Sequence, residues 1–204
     1  HYLDLIVETC QQAIFLDGGK IQYMGATQEA VNRYQDAIRK AGQAQAGAAP
    51  GGLGVRSGSF EMEILEVRLL DGEGRERQTY QMGEKMVVRI TYVAHRPLSE
   101  PVFGVEITRN DGLYCYATNS RWDGLRTGCI VGQGVIELEI PRLNLSAGTY
   151  LMGVGILEQN AIAFYDFHDK AYPFEVQSGK KDRGVLYLDH TWRFLDNSKL
   201  STDS

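Results

Sequence analysis

From Ser59 onward, apolar residues recur at every second position in run after run, and no helical spacing interrupts them. A period of two sends successive side chains to opposite faces of a strand, so this part of the chain must close as sheet packed on sheet. FEMEILEVRLL alternates at Phe60, Met62 and Ile64, then slips by one to Leu65, Val67 and Leu69. One inserted residue flips every later side chain, which is what a β-bulge does. KMVVRITYV sets Met86, Val88, Ile90 and Tyr92 on one side, and FGVEITRNDGLYCYATN reads as two strands around the turn Asn110-Asp111-Gly112. VIELEI, TYLMGVGILE, YPFEVQ and GVLYLDHTWRF supply four more strands. The expected fold is all-β, an immunoglobulin-like antiparallel β-sandwich over residues 59–196. Tyr150, at the start of TYLMGVGILE, is placed to hydrogen-bond back across the preceding turn.

Two other kinds of chain precede and follow this module. Residues 41–58, AGQAQAGAAPGGLGVRSG, hold little apolar area to bury and read as a flexible linker. Residues 1–40 read as a short α/β segment. Leu3, Ile6, Val7 and Cys10 share a helical face; AIFLDGGKIQYMG forms a hairpin around Asp17-Gly18-Gly19; Thr27 is a candidate N-cap for a helix through Arg39. A helix, a hairpin and a helix cannot enclose a core in forty residues, so this piece should either pack on something larger or be partly disordered. Residues 197–204 form a polar tail.

Composition narrows the function. A net charge of -5 argues against a nucleic-acid partner, which needs clustered Lys and Arg. No apolar run approaches the ~20 residues needed to span a bilayer. Cys10, Cys115 and Cys129 have no metal-like spacing and read as reduced thiols of a cytoplasmic protein. His1, His95, His168 and His190 form no metal or catalytic pattern, and G-x-S-x-G and the phosphate loop G-x-x-x-x-G-K-[ST] are both missing from the sequence. Glu137 and Glu139 alternate with apolar residues and should face water. No catalytic residue, metal or cofactor is expected.

The segment from Tyr114 to Gly128, YCYATNSRWDGLRTG, carries the inventory that sugar recognition uses. Flat aromatics pack on the C–H face of a pyranose, while amides and guanidiniums read its hydroxyls. With Leu113, Cys115 and Ala117 inward, Tyr114, Tyr116 and Thr118 share the other face. The candidate carbohydrate-binding residues are Tyr114, Tyr116, Asn119, Arg121, Trp122, Arg126 and, from a second aromatic group with Phe164, Tyr165. If the sugar is acidic, an Arg can hold its carboxylate by two parallel bonds. Alternatively, Trp122 folds back as a loop anchor and the arginines are solvated. Gly153 and Gly155 fall on one face of their strand, where they leave a shallow groove or mark a bend. Leu186, Leu188, His190 and Trp192 share one face of the last strand-like run, which either completes its own sheet or swaps into a second copy to form a homodimer.

The run from His1 through Cys10, then AIFLDGGKIQYMG and EAVNRY, resembles the end of an ABC-transporter nucleotide-binding domain. By that resemblance His1 corresponds to the switch histidine; the other reading, a purification-tag remnant, stays open. The order of parts, with FEMEILEVRLLDGEG, DGLYCYATNSRWDG, LSAGTYLMGVGI and GVLYLDHTW, is similar to the Wzt-type ATPase subunits of O-antigen and polysaccharide exporters. The resemblance implies non-catalytic recognition of the non-reducing end of a polysaccharide, a homodimer whose last strand is swapped, and a transmembrane permease partner. It also implies a place at the cytoplasmic face of the inner membrane. A protein-docking sandwich and, further off, a glycan-processing enzyme are the alternatives.

Overall fold

The computed structural model describes residues 6–7, 9–43, 47–48, 54–161, 163–180 and 183–193. Within them the slip in the first long strand is a bulge at Leu65: the register between β5 (Met62–Leu70) and β7 (Met86–Ser99) shifts between Ile64 and Glu66. Met62 and Ile64 enter the core before the bulge and Leu69 after it, while Leu65 itself is exposed. Together with β10 (Cys129–Ile140) these strands form a three-stranded sheet in the order β10-β7-β5.

The second sheet runs β3 (Gly47–Ala48), β4 (Val55–Ser57), β12 (Phe164–Gln177), β11 (Gly148–Leu157), β8 (Val102–Arg109), β9 (Tyr114–Asn119), with β6 (Thr79–Gln81) parallel beside β12. The two sheets face each other across one apolar core. Met86, Val88 and Ile90 come from one, and Tyr150, Met152, Val154 and Ile156 from the other. Tyr150 Oη donates to the Ser146 carbonyl at 2.8 Å, the corner expected from the sequence, and its ring stacks on Phe174. The β8–β9 turn closes with Gly112 at φ 91° and its N–H on the Arg109 carbonyl. Glu137 and Glu139 face outward and pair with Arg89 and Lys85.

Three local expectations need correction. Val55–Ser57, inside the stretch read as linker, is strand β4 and pairs with β12 through Phe167↔Ser57, His168↔Arg56 and Asp169↔Val55. The chain enters this strand so close to β12 that a Cβ on Gly54 would lie 1.8 Å from the Asp169 carbonyl oxygen. Next, β12 begins at Phe164, eight residues earlier than YPFEVQ suggested, because its first half carries polar groups on the core side. Finally, GVLYLDHTWRF is not a strand across its described part. It makes a single bridge, Leu145↔Leu186, bounded by Ser146 N–H to Val185 O and Tyr187 N–H to Asn144 O. Val185 and Tyr187 pack inward, and Leu186, Leu188 and Trp192 stay exposed. The rest of that run and the tail 197–204 lie outside the described residues, as does His1.

The front segment has its hairpin, β1 (Gln12–Asp17) with β2 (Lys20–Ala26), turning at Gly18 and Gly19, both at positive φ. Helix α1 (Thr27–Gln43) follows, longer by four residues than expected. Its first hydroxyl, Thr27 Oγ1, donates to the Cys10 carbonyl at 2.7 Å, tying the helix start to the residue that ends the preceding helical turn. Phe15 meets Tyr34 edge-on, but Ile14, Leu16, Ile21 and Met24 remain exposed.

Candidate carbohydrate-binding face

The outer face of the larger sheet is hollowed where three glycines meet. Gly155 of β11 stands directly opposite Gly104 of β8, and Gly153 opposite Glu106, so the floor is low across two strands. Neighbours lean into the space that side chains would fill. A Cβ on Gly155 would lie 2.7 Å from the Phe164 ring and 3.1 Å from Phe167; one on Gly153 would lie 2.7 Å from Glu106 Cγ. Phe164 and Phe167 stack at 4.5 Å, with 24° between their planes, and form one wall. β12 slips register against β11 twice here, between Met152 and Val154 and between Ile156 and Leu157, which brings both rings to the same side. The remaining open trough has a volume of about 110 Å³ and is closed opposite by Asn119 and Trp122.

The loop after β9 is built to hold Trp122 out. Asn119 is buried, and its Oδ1 accepts the Trp122 N–H at 2.9 Å; Leu125 N–H returns to the Ser120 carbonyl. Trp122 is 72% exposed and is not folded back as an anchor. Asn119 therefore positions the loop while lining the trough. Arg121 donates to the Gln159 carbonyl at 2.8 Å, joining this loop to the β11–β12 connection. Arg126 sits with Glu100, whose other oxygen accepts the Thr127 and Gly128 N–H groups, and it lies outside the trough. The pair holds the Glu100 carboxyl below its ordinary range.

The tyrosines are divided by a bulge. β9 pairs with β8 as Ala117↔Glu106 and Tyr116↔Ile107, then shifts so that Tyr114 meets Thr108. Cys115 is the extra residue. Tyr114 consequently shares the outer face, where its Oη donates to Glu106 Oε2 at 3.4 Å. Ala117 is outward rather than inward, and Tyr116 and Thr118 share the core side of their partners Ile107 and Val105, Tyr116 remaining exposed at the sheet edge. The expected common face for Tyr114, Tyr116 and Thr118 does not exist. Tyr165 is likewise separated: the second slip in β12 packs it against the core, where burial pushes its hydroxyl up. Phe164 and Phe167 stand where Tyr165 was expected, and Glu106 had no signal in the sequence. The paired glycines were the signal that located the groove.

Burial, reinforced by Asp169, raises the Glu106 carboxyl above the ordinary glutamate range against the smaller pull of Tyr114 and Lys170. A second hollow of about 160 Å³ opens between the sheets where β9 faces β10, lined chiefly by the core residues Ile90, Phe103, Val105, Ile136 and Leu138. It offers greasy walls and a Thr118–Asp123 hydrogen bond at its rim but no exposed ring.

On the core side of β12, behind the Phe164–Phe167 wall, the structure gathers groups that the sequence kept far apart. Asp166, fully buried, takes two hydrogen bonds from Arg56, at 2.9 and 2.7 Å, and one from the Ile64 N–H at 2.7 Å. Arg56 also reaches Glu63, which meets His95, and His168 lies 3.4 Å from Asp166 and bonds Tyr172. Despite the cost of burial, those donors hold the Asp166 carboxyl below its ordinary value. Among the described residues no group of three His, Cys, Asp or Glu is arranged to hold a metal ion, and no helix is long and apolar enough to cross a membrane.

Comparison with known proteins places this architecture. A family model described as the Wzt C-terminal domain matches residues 54–188. The chain is 24% identical over 204 residues to an O-antigen export system ATP-binding protein, RfbB, of Myxococcus xanthus, covering 94% of this chain and 46% of that protein. It thus spans about half the length of that relative. A crystal structure of the C-terminal domain of Wzt superposes with a TM-score of 0.65 at 18% identity, over 72% of this chain and 93% of that one. The fold is the same.

Proposed function

Because this chain belongs to the Wzt C-terminal domain family, we propose that its sandwich is a non-catalytic carbohydrate-binding module that recognises the non-reducing end of an O-antigen-type polysaccharide for an ABC exporter. The observation that carries this is the glycine-floored trough with Trp122 held over it and Phe164 and Phe167 along its side. Rings against an open, shallow floor suit the apolar face of a sugar, whereas an enclosed pocket would suit a smaller ligand. Tyr114, Asn119 and Glu106 supply polar atoms around the rings. Arg121, Arg126, Tyr116 and Tyr165 serve the surrounding framework or the rim.

The site performs no bond-breaking in this proposal. Export is driven by a parent ATPase, of which residues 1–40 are the tail, acting with a transmembrane permease at the cytoplasmic face of the inner membrane. The exposed Ile14, Leu16, Ile21 and Met24 on the hairpin support packing of that segment on the remainder of the nucleotide-binding domain. A homodimer through Leu186, Leu188, His190 and Trp192 is supported by the exposure of the two leucines and of Trp192, which is 91% exposed on a segment tied down by a bridge at Leu186 and an Arg142–Asp189 ion pair. Two weak sites on one exporter would raise the effective affinity for a polymer.

Titration of the chain with polysaccharide from its source strain, followed by tryptophan fluorescence and calorimetry, tests the proposal. Saturable binding that Trp122→Ala removes without changing the circular dichroism spectrum is the expected result. Absence of binding, with retained capture of the permease, assigns the sandwich to protein docking instead.

A further inference from the structure

Among the described residues that line the trough, Glu106 alone is charged. Its carboxylate lies over Gly153, where a Cβ would fall 2.8 Å from Oε1, so the missing side chain is what gives the acid its place on the floor. The acid is under-satisfied. Oε2 accepts one long hydrogen bond, 3.4 Å from Tyr114 Oη, and Oε1 accepts none among the described residues. An ionised carboxylate offers about four acceptor positions, and leaving them empty in a partly desolvated site is costly unless water or a ligand fills them. Among the described residues no cation lines the trough to offset the charge: Arg121 is turned to the Gln159 carbonyl and Arg126 to Glu100. Asp169 adds negative charge close by, and the Lys170 cation opposes it more weakly.

We propose that Glu106 is the specificity-determining residue of this face, selecting an uncharged terminal pyranose by accepting two adjacent hydroxyls on its carboxylate and rejecting sugars that carry a carboxylate, phosphate or sulfate. The selection rests on the carbohydrate-binding reading above and goes against the conditional role in which an arginine holds the carboxylate of an acidic sugar. A neutral ring brings donors to the empty acceptor positions while its C–H face lies on Trp122 or on the Phe164–Phe167 pair. An anionic ring meets Glu106 and Asp169, with Lys170 the weaker opposing charge, and like charges juxtaposed at an interface suppress binding strongly.

The test uses the full chain and two probes: polysaccharide from the source strain, and the same preparation after nitroxyl-catalysed oxidation of its primary alcohols to carboxylates. Wild type should bind the untreated polymer on the order of tenfold more tightly than the oxidised one, a ratio that shrinks with added salt. Glu106→Gln, which keeps the shape and removes the charge, should weaken binding of the untreated polymer and reduce the ratio to about threefold or less. Equal or tighter wild-type binding of the oxidised polymer overturns the proposal, as does an untreated polymer that binds well and proves to end in an anionic sugar. An unchanged ratio in Glu106→Gln does the same. The wild-type comparison needs no variant, so a poorly folding Glu106→Gln leaves it decisive. If wild type binds neither preparation, the carbohydrate reading itself falls; if it binds both without preference, only the selection by Glu106 falls.

Discussion

Two carboxylates, one between the sheets and one on the outer face of the larger sheet, show how differently one fold treats the same group. Asp166 is buried between the sheets and takes three hydrogen bonds, two of them from a guanidinium. Glu106 sits on the outer face under a single long hydrogen bond, with one oxygen uncommitted among the described residues. Their protonation follows suit: Asp166 is driven below its ordinary value and Glu106 above it. A fully satisfied buried acid organises structure, while an unsatisfied one beside exposed rings is poised for a ligand. The two sites share β12, which presents Asp166 and His168 inward and Phe164 and Phe167 outward.

The largest effect separating them should come from Asp166→Ala. It leaves Arg56 and the Ile64 N–H without their acceptor and should cost about 3–5 kcal/mol in urea unfolding, as broken buried pairs do. A loss under ~1 kcal/mol would put the two acids on the same footing. Next comes Trp122→Ala, which should weaken glycan binding by about 2 kcal/mol, the worth of covering a large ring, while the melting temperature stays put. Parallel losses of affinity and stability would instead make Trp122 a structural anchor.

Acid should act on the two sites in opposite senses. The folded Asp166 carboxyl titrates below its unfolded value, so the stability it contributes is complete above roughly pH 4 and is lost as pH falls toward its lower folded value. The groups facing it are Arg56, His168 and the Ile64 N–H. Glu106 titrates above its unfolded value, so stability linked to its proton is present below roughly pH 4 and lost as pH rises through the folded value, with Asp169, Lys170 and Tyr114 facing it. Denaturation between pH 6 and pH 3 should therefore show an acid-sensitive drop that Asp166→Asn flattens and Glu106→Gln does not. The smallest effect is that of Glu106→Gln on stability at neutral pH, expected within about 0.5 kcal/mol of wild type. A loss comparable to that of Asp166→Ala would erase the contrast.

Much of the framework could be read in the residues. The slip at Leu65 broke a clear apolar alternation, Asn110-Asp111-Gly112 announced its turn, and Tyr150 stood at a recognisable corner. The glycine pair in TYLMGVGILE pointed to the trough. The bulge at Cys115 left no such mark, because a small residue in a run of mixed polarity does not break a pattern, and with it went the side on which Tyr116, Ala117 and Thr118 lie. The first half of β12 was hidden by its own buried polar groups: Asp166 and His168 occupy positions where alternation demands apolar residues. Arg56 and Asp166 meet across 110 residues, a distance over which local spacing says nothing. The terminal run has strand-forming residues but finds a single bridging rung among the described residues.

The way the chain enters the sandwich gives β12 a mechanical role. Gly54 presses against the Asp169 carbonyl, Arg56 is bolted to Asp166, and Ser57 is the rung opposite Phe167. Tension arriving along the leader from residue 54 is borne as shear between two neighbouring strands, one of which carries Phe167 of the trough wall. Whatever hauls on this module and whatever sits in its hollow are thus separated by the width of one strand.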